Sequence, residues 1–264
     1  MPLLKVGSHN SIYYETKGQG PHLLMLRGLA RSSAYWLGLD ERLSCSFTVI
    51  TIDYRGIGRS ISNVGWQLKI ADLAADCIAV LDHLQVKSLS IIGHSLGGMV
   101  AISMQTRLGK RVDNLMIVNS SASPAFYPRV NPLAIVKLIY AKFKGQAIQP
   151  VLFKLLSTKT ECQDEVVDQW DSILFKEGLD MQIVIKQLLA AARFRIPQSV
   201  KKDDIKPLIV CGMQDNFVPP INSRKIFRHF KGARFLLLNG GHELFLDCES
   251  ELTEIILKEY STSP

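Results

Sequence analysis

The chain has only five cysteines in 264 residues, Cys45, Cys77, Cys162, Cys211 and Cys248, and no Cys-x-x-Cys. An odd, scattered set excludes a disulfide framework and a thiolate zinc centre, and implies free, mostly buried thiols in a reducing compartment. The first ten residues, Met-Pro-Leu-Leu-Lys-Val-Gly-Ser-His-Asn, lack a basic region followed by a long apolar run. No secretory leader is therefore expected, and the expected location is cytoplasmic. No apolar stretch approaches the roughly 20 residues that cross a bilayer; Leu133–Ile139 is far shorter and carries Lys137. Repeats and low-complexity segments are also missing. The net charge is +7, but no nucleic-acid-binding motif or interleaved basic–aromatic run accompanies it, so nucleic acid is not an expected partner. Acidic residues are absent from Ser121 to Ser157, where Arg129, Lys137, Lys142, Lys144 and Lys154 all lie. Such a stretch is either a solvated helical surface or a face for an acidic partner or substrate.

What is present alternates. Leu3–Val6 and Ser11–Thr16 read as antiparallel strands, and His22–Leu26, Phe47–Ile52, Leu89–Ile92 and Asn114–Val118 as further strands. Between them, Ser32 or Ser33 can cap a helix carrying Tyr35, Trp36, Leu39 and Leu43, and Lys69–Leu84 has an inner apolar stripe. Continuous apolar strands alternating with helices imply a doubly wound, mostly parallel sheet covered on both faces. The pattern breaks after the sixth strand: Ser120–Ser199 holds only helical periodicity, at about Pro132–Phe143, Ala147–Leu156, Asp164–Phe175 and Asp180–Phe194. It resumes with Pro207–Cys211, Ile221–Phe230, Arg234–Leu238 and Glu249–Tyr260. The expected organisation is an α/β core of residues 1–120 and 200–264 with a helical lid at 121–199. Ligands of such sheets bind beyond the carboxyl ends of the strands, where this insertion begins.

The chemistry centres on Gly93-His94-Ser95-Leu96-Gly97, set between a strand and a helix. That context makes Ser95 a nucleophile on a strained turn, with the helix N–H groups facing the charge that develops beside it. A serine hydroxyl needs a base, itself oriented by an acid. Of six histidines, His242 alone follows a Gly-Gly loop at the end of the last strand, although a surface or helix-start role would also suit it. Asp215, just beyond Pro207–Cys211, is the candidate acid, its other reading being an Asx-turn residue. Asn119 occupies another strand-end position and cannot carry a negative charge. The Ser–acid–His order is that of α/β-hydrolases.

With Gly93–Gly98, Asp53-Tyr54-Arg55-Gly56-Ile57-Gly58-Arg59-Ser60, Gly212–Pro219 and Gly240-Gly241-His242, the chain resembles the α/β-hydrolase superfamily. It is similar in particular to the helical-lidded esterase, lactonase and carbon–carbon hydrolase branch, including pimeloyl-carrier-protein methyl ester esterases and 3-oxoadipate enol-lactonases. The resemblance implies a carboxylic ester hydrolase that needs no cofactor or metal. It further implies an oxyanion hole from the backbone N–H groups of Leu29 and Leu96, and a small-molecule ester substrate. An acidic carrier protein docked on the basic lid is a possible partner, and lactonase, carrier-linked ester hydrolase and weakly catalytic binding protein are the alternatives. Relatives usually have His-Gly where Arg27-Gly28 stands here. Arg27 is either half of a structural ion pair, with Asp53 as candidate partner, or a contact for an anionic substrate group. Trp36 is a second candidate substrate contact, and Asp53 reads as a loop-stabilising residue. The apolar lid residues Leu133, Ile135, Leu138, Ile139, Leu152, Phe153, Leu155 and Leu156 suit an apolar acyl chain, although most are expected to pack within the lid.

Overall fold

The computed structural model describes residues 2–7, 10–122, 130–197 and 205–260. Arg129 and the carboxyl-terminal boundary of the insertion lie outside them. In chain order the elements are β1 (Leu3–Val6), β2 (Asn10–Lys17), β3 (His22–Leu26), α1 (Leu39–Leu43), β4 (Thr48–Ile52), β5 (Ile61–Ser62), α2 (Ile70–His83), β6 (Leu89–His94), α3 (Leu96–Leu108) and β7 (Val112–Val118). Then follow α4 (Pro132–Phe143), α5 (Ile148–Leu156), α6 (Gln163–Glu177), α7 (Met181–Arg193), β8 (Leu208–Gly212), α8 (Ile221–His229), β9 (Arg234–Leu238), α9 (Leu244–Asp247) and α10 (Glu249–Tyr260).

The sheet runs β1-β2-β4-β3-β6-β7-β8-β9, with β5 paired to β2. β3, β4 and β6 to β9 are parallel, and β1 and β2 form an antiparallel margin. The near-continuous apolar sequences of β6 and β8 follow from burial on both faces. One face packs on α2, α3 and α8 through Leu73, Val100 and Ile226, and the other on α1 and α10 through Leu43, Leu252 and Ile256. From β3 the chain moves outward to β4, then returns to place β6 on the other side of β3. The crevice between the ends of β3 and β6 is therefore the topological switch point, where open α/β sheets bind ligands.

The helix expected over Tyr35–Leu43 is interrupted. A single 3₁₀ turn spans Ser33–Trp36, and α1 starts only at Leu39, because Leu37 (φ 51°) and Gly38 (φ 85°) both take the left-handed region. The two-residue β5 and the one-turn α9 carry no periodicity that a sequence reading can detect. With β5 counted, the insertion follows the seventh strand in chain order. Its helices α4–α7 join β7 to β8, and a small cluster of Phe153, Leu156, Val167 and Trp170 seats it on Tyr35.

The β6–α3 turn is packed backbone to backbone. A Cβ on Gly97 would lie 2.3 Å from the Leu26 carbonyl oxygen, and one on Gly93 would lie 2.5 Å from the Gly97 oxygen. Backbone cannot step aside as a side-chain tip can. Gly97→Ala is therefore expected to destabilise the fold by roughly 1–3 kcal/mol, read as a melting temperature lowered by several degrees. An unchanged melting curve would show that the turn can relax.

Candidate active site

Ser95 sits between β6 and α3 with φ 54° and ψ −116°, a conformation that L residues rarely adopt. It is fixed from two sides: its N–H donates to the Val118 carbonyl (2.8 Å), and its own carbonyl accepts from the Ser120 hydroxyl (2.6 Å). His242 reaches it from the loop after β9, with Nε2 3.1 Å from Ser95 Oγ. The other ring nitrogen, Nδ1, lies 2.8 Å from Asp215 Oδ2. Asp215 Oδ1 accepts from the backbone N–H groups of Phe217 (2.9 Å) and Val218 (2.7 Å), so both carboxylate oxygens have partners and the side chain is held in one orientation. Nδ1–H donating to this carboxylate leaves the Nε2 lone pair facing the hydroxyl. Three residues widely separated in sequence thus form one hydrogen-bonded run at the switch point. A general base needs this geometry before it can take a proton from the serine.

The loop after β3 lies against the same spot: a Cβ on Gly28 would come within 3.2 Å of Ser95 Cβ. Among the described residues none accepts a hydrogen bond from the N–H of Leu29 or of Leu96. Ala30, next in the loop, has φ 57°, and its N–H donates 3.0 Å to Oε1 of Gln187 on α7, a fully buried side chain.

Arg27 does not pair with Asp53. Its Nη2 donates to both carboxylate oxygens of Glu243 at 3.0 Å, its guanidinium lies 4.7 Å from the Trp36 ring centroid, and it is 3% exposed. Asp53 is taken up by the Ser33 N–H and hydroxyl (2.7 Å each) and by Arg59. Arg27 follows β3, and Glu243 is carried over the same rim by the loop after β9 that also carries His242, whereas Asp53 closes the β4 loop. Trp36 packs edge-on against Phe245. Arg27 and Trp36 border a cleft of about 280 Å³ whose lining includes Glu243 but neither Ser95 nor His242.

Three supporting residues escaped the sequence reading of the site. His94 donates Nε2–H to the His242 carbonyl (2.8 Å); burial, reinforced by His242 and Arg27, pushes its pKa down to about 3, so it stays neutral. Asn119, fully buried with φ 46°, donates to the carbonyls of Gly241 (2.9 Å) and His242 (2.8 Å) and accepts from the Gly212 N–H (2.8 Å). It clamps the end of β8, which leads to Asp215, to the loop carrying His242. Glu243 is the third. Burial alone would raise its pKa, but Arg27 foremost outweighs this and holds it at about 2. The sequence signals were faint, since His94 and Asn119 are polar residues at strand ends and Glu243 only precedes the one-turn α9.

Residues 21–148 match a family model described as the alpha/beta hydrolase fold. The chain has the α/β-hydrolase fold. It is 33% identical over 118 residues to RutD of Agrobacterium fabrum, named as a proposed carbamate hydrolase; the match covers 44% of this chain and 45% of that relative, less than half of its length. RutD of Stutzerimonas stutzeri, named likewise, is 22% identical over 93% of this chain and 95% of its own. Among solved structures, the esterase EaEST from Exiguobacterium antarcticum superposes with a TM-score of 0.82 at 20% identity, covering 99% of each chain. The enol-lactonase from Burkholderia xenovorans LB400 gives 0.78 at 18% identity, covering 97% of this chain and 98% of its own. At those identities the likeness is one of fold.

Two stability predictions follow from the buried polar groups. Glu243 has a depressed folded pKa, so its contribution is present above about pH 4.5 and is lost as pH falls toward about 2. Glu243→Gln should flatten that acid limb and, by leaving Arg27 unpaired, cost on the order of 3–5 kcal/mol at neutral pH. Asn119→Asp places a carboxylate against two carbonyl oxygens, which raises its folded pKa. The variant should melt close to wild type at low pH and fall further behind as pH rises through that pKa. A gap that does not change with pH would refute the clamp.

Proposed function

We propose that this protein is a serine hydrolase that cleaves a carboxylic ester through an acyl-enzyme. The observation that carries the reading is the run from Asp215 Oδ2 to His242 Nδ1 (2.8 Å) and from His242 Nε2 to Ser95 Oγ (3.1 Å). Ser95 Oγ attacks the carbonyl carbon while His242 Nε2 takes its proton. The oxyanion is met by the Leu29 and Leu96 N–H groups, the second at the positive end of α3. His242 returns the proton to the departing alcohol. Water, deprotonated by the same imidazole, then releases the acid and restores Ser95. Asp215 keeps the ring in the required tautomer and offsets the charge that His242 gains. Serine, rather than aspartate, at the elbow suits an acyl intermediate.

No metal or cofactor enters this reading. Arg27, neutralised by Glu243 and buried, is read as structural, and Trp36 with it. The insertion over the switch point is read as the lid, the protein as cytoplasmic, and the substrate as a small ester; an acidic carrier protein docked on the lysine-rich lid is the competing alternative, for a carrier-linked ester. A second reading, carbamate hydrolysis, draws on the RutD likeness over 93% of the chain. It uses the same acyl chemistry with nitrogen on the carbonyl carbon.

Ser95→Ala should lower turnover of a p-nitrophenyl ester by about 10⁶-fold, and Asp215→Asn by about 10⁴-fold with the fold intact. Near-full turnover in Ser95→Ala would end the proposal. Running methyl and p-nitrophenyl esters of increasing acyl length beside lactones and a carbamate separates the readings by kcat/KM, and absence of multiple turnover on all of them would leave a binding protein.

A further inference from the structure

Helix α4 is amphipathic the wrong way round for a helix packed on a protein. Its buried positions are small, Ala134 and Ala141 at 2% exposure each, while Leu133 (68%), Val136 (59%), Ile139 (64%) and Phe143 (85%) stand in solvent. Leu133 and Ile139 are therefore neither internal packing nor shielded wall, contrary to the expectation for most of the apolar residues of this segment. At 3.6 residues per turn the exposed apolar side chains, Ile135 and Tyr140 included, fill one arc of roughly 160°. Lys137 lies at the margin of that arc, and the Lys144 ammonium, one residue past the helix, stands 5.7 Å from the Tyr140 ring centroid. No acidic residue occurs between Ser121 and Thr160, and the acids of the insertion begin at Glu161 and run along α6, which packs against α5.

An apolar arc edged by lysines matches the interface of an anionic membrane, with side chains in the acyl boundary and ammonium groups at the headgroups. A second copy of the chain would oppose lysine with lysine across a symmetric contact. An acidic protein would satisfy the lysines but leave aliphatic and aromatic groups of this size against a polar surface. The position of the helix links the surface to the site. The Asn131 side chain caps its first turn by accepting from the Leu133 N–H (3.0 Å), and the Asn131 N–H donates 2.8 Å to the carbonyl of Phe217. The Phe217 ring lies 5.1 Å from that of His242.

We propose that α4 docks the protein on anionic lipid surfaces, so that the ester reaches Ser95 from the membrane interface. The docking stands on the helix alone; the identity of the substrate rests on the hydrolase reading above.

Co-sedimentation with vesicles of phosphatidylcholine and phosphatidylserine tests it, with pure phosphatidylcholine vesicles as the reference. Wild type and Ser95→Ala should both bind the mixed vesicles and bind the neutral ones far less. Lys137→Glu with Lys144→Glu should weaken partitioning by at least about 25-fold, fivefold per lysine lost. Val136→Asp with Phe143→Asp should weaken it by about 100-fold or more, while turnover of a water-soluble ester stays at the wild-type level. Phe143→Trp supplies a reading independent of those variants: its emission should shift to the blue on mixed vesicles and be quenched by brominated acyl chains. Absence of binding to mixed vesicles would overturn the proposal. So would binding that the lysine variant abolishes and Val136→Asp with Phe143→Asp leaves intact, which is the behaviour of a surface for an acidic protein. Failure of vesicle binding with ester turnover retained removes only the docking, and the converse removes only the hydrolase reading.

Discussion

The closeness with which the β6–α3 turn lies on the end of β3 governs the carboxyl edge of the sheet. Gly97 has no room for a methyl group against Leu26, and Gly28 has little against Ser95. Only with both positions bare can the backbone turn sharply enough to hold Ser95 at φ 54°. That strain is sustained by the elements around it: parallel pairing of β6 with β3 and β7, the Val118 carbonyl and the Ser120 hydroxyl. The same approach brings the loop after β3, with its N–H groups, to the serine.

Around this turn the buried charges are arranged so that each has a partner and the histidine beside Ser95 has none to carry. His94 is neutral and acts as a donor to the His242 backbone, whereas Arg27 and Glu243 cancel one another in the layer behind. A buried pair of this kind contributes little net stability over an apolar substitute, but it is costly to break. Its effect is to fix the loop on either side of His242 without placing an uncompensated charge near the imidazole. Asn119 does the same with a neutral amide, three of whose hydrogen bonds tie β7, β8 and the His242 loop together.

The insertion is stitched to this apparatus at several points. Gln187 holds the loop after β3, the Leu156 carbonyl accepts from the Glu243 N–H at 2.8 Å, and Asn131 is bonded to Phe217. Movement of the inserted helices would therefore be felt by the loop after β3, the Asp215 loop and the His242 loop together. Those contacts use the inner faces of the helices, which explains how α4 can be anchored while its largest side chains face outward.

The alternation of apolar strands and amphipathic helices, and the break after Asn119, are local patterns, and they determined the fold class, the place of the insertion and most element boundaries. The Gly-x-Ser-x-Gly elbow is also local, because its glycines answer to steric demands within a few residues of the serine. That Asp215 and His242 can meet Ser95 was legible from their places after strands of a parallel sheet, whose carboxyl ends share one rim. What depends on contacts between distant loops was not legible. The partner of Arg27 proved to be Glu243 and not Asp53, the helix over Tyr35–Leu43 broke at two left-handed residues, and Asn119 became a clamp, because each outcome is set by which backbone lies opposite after the sheet has formed. Sequence alone established that α4 is apolar and basic; only the tertiary structure decided which side it buries, since burial of Ala134 and Ala141 is a property of the surface beneath them.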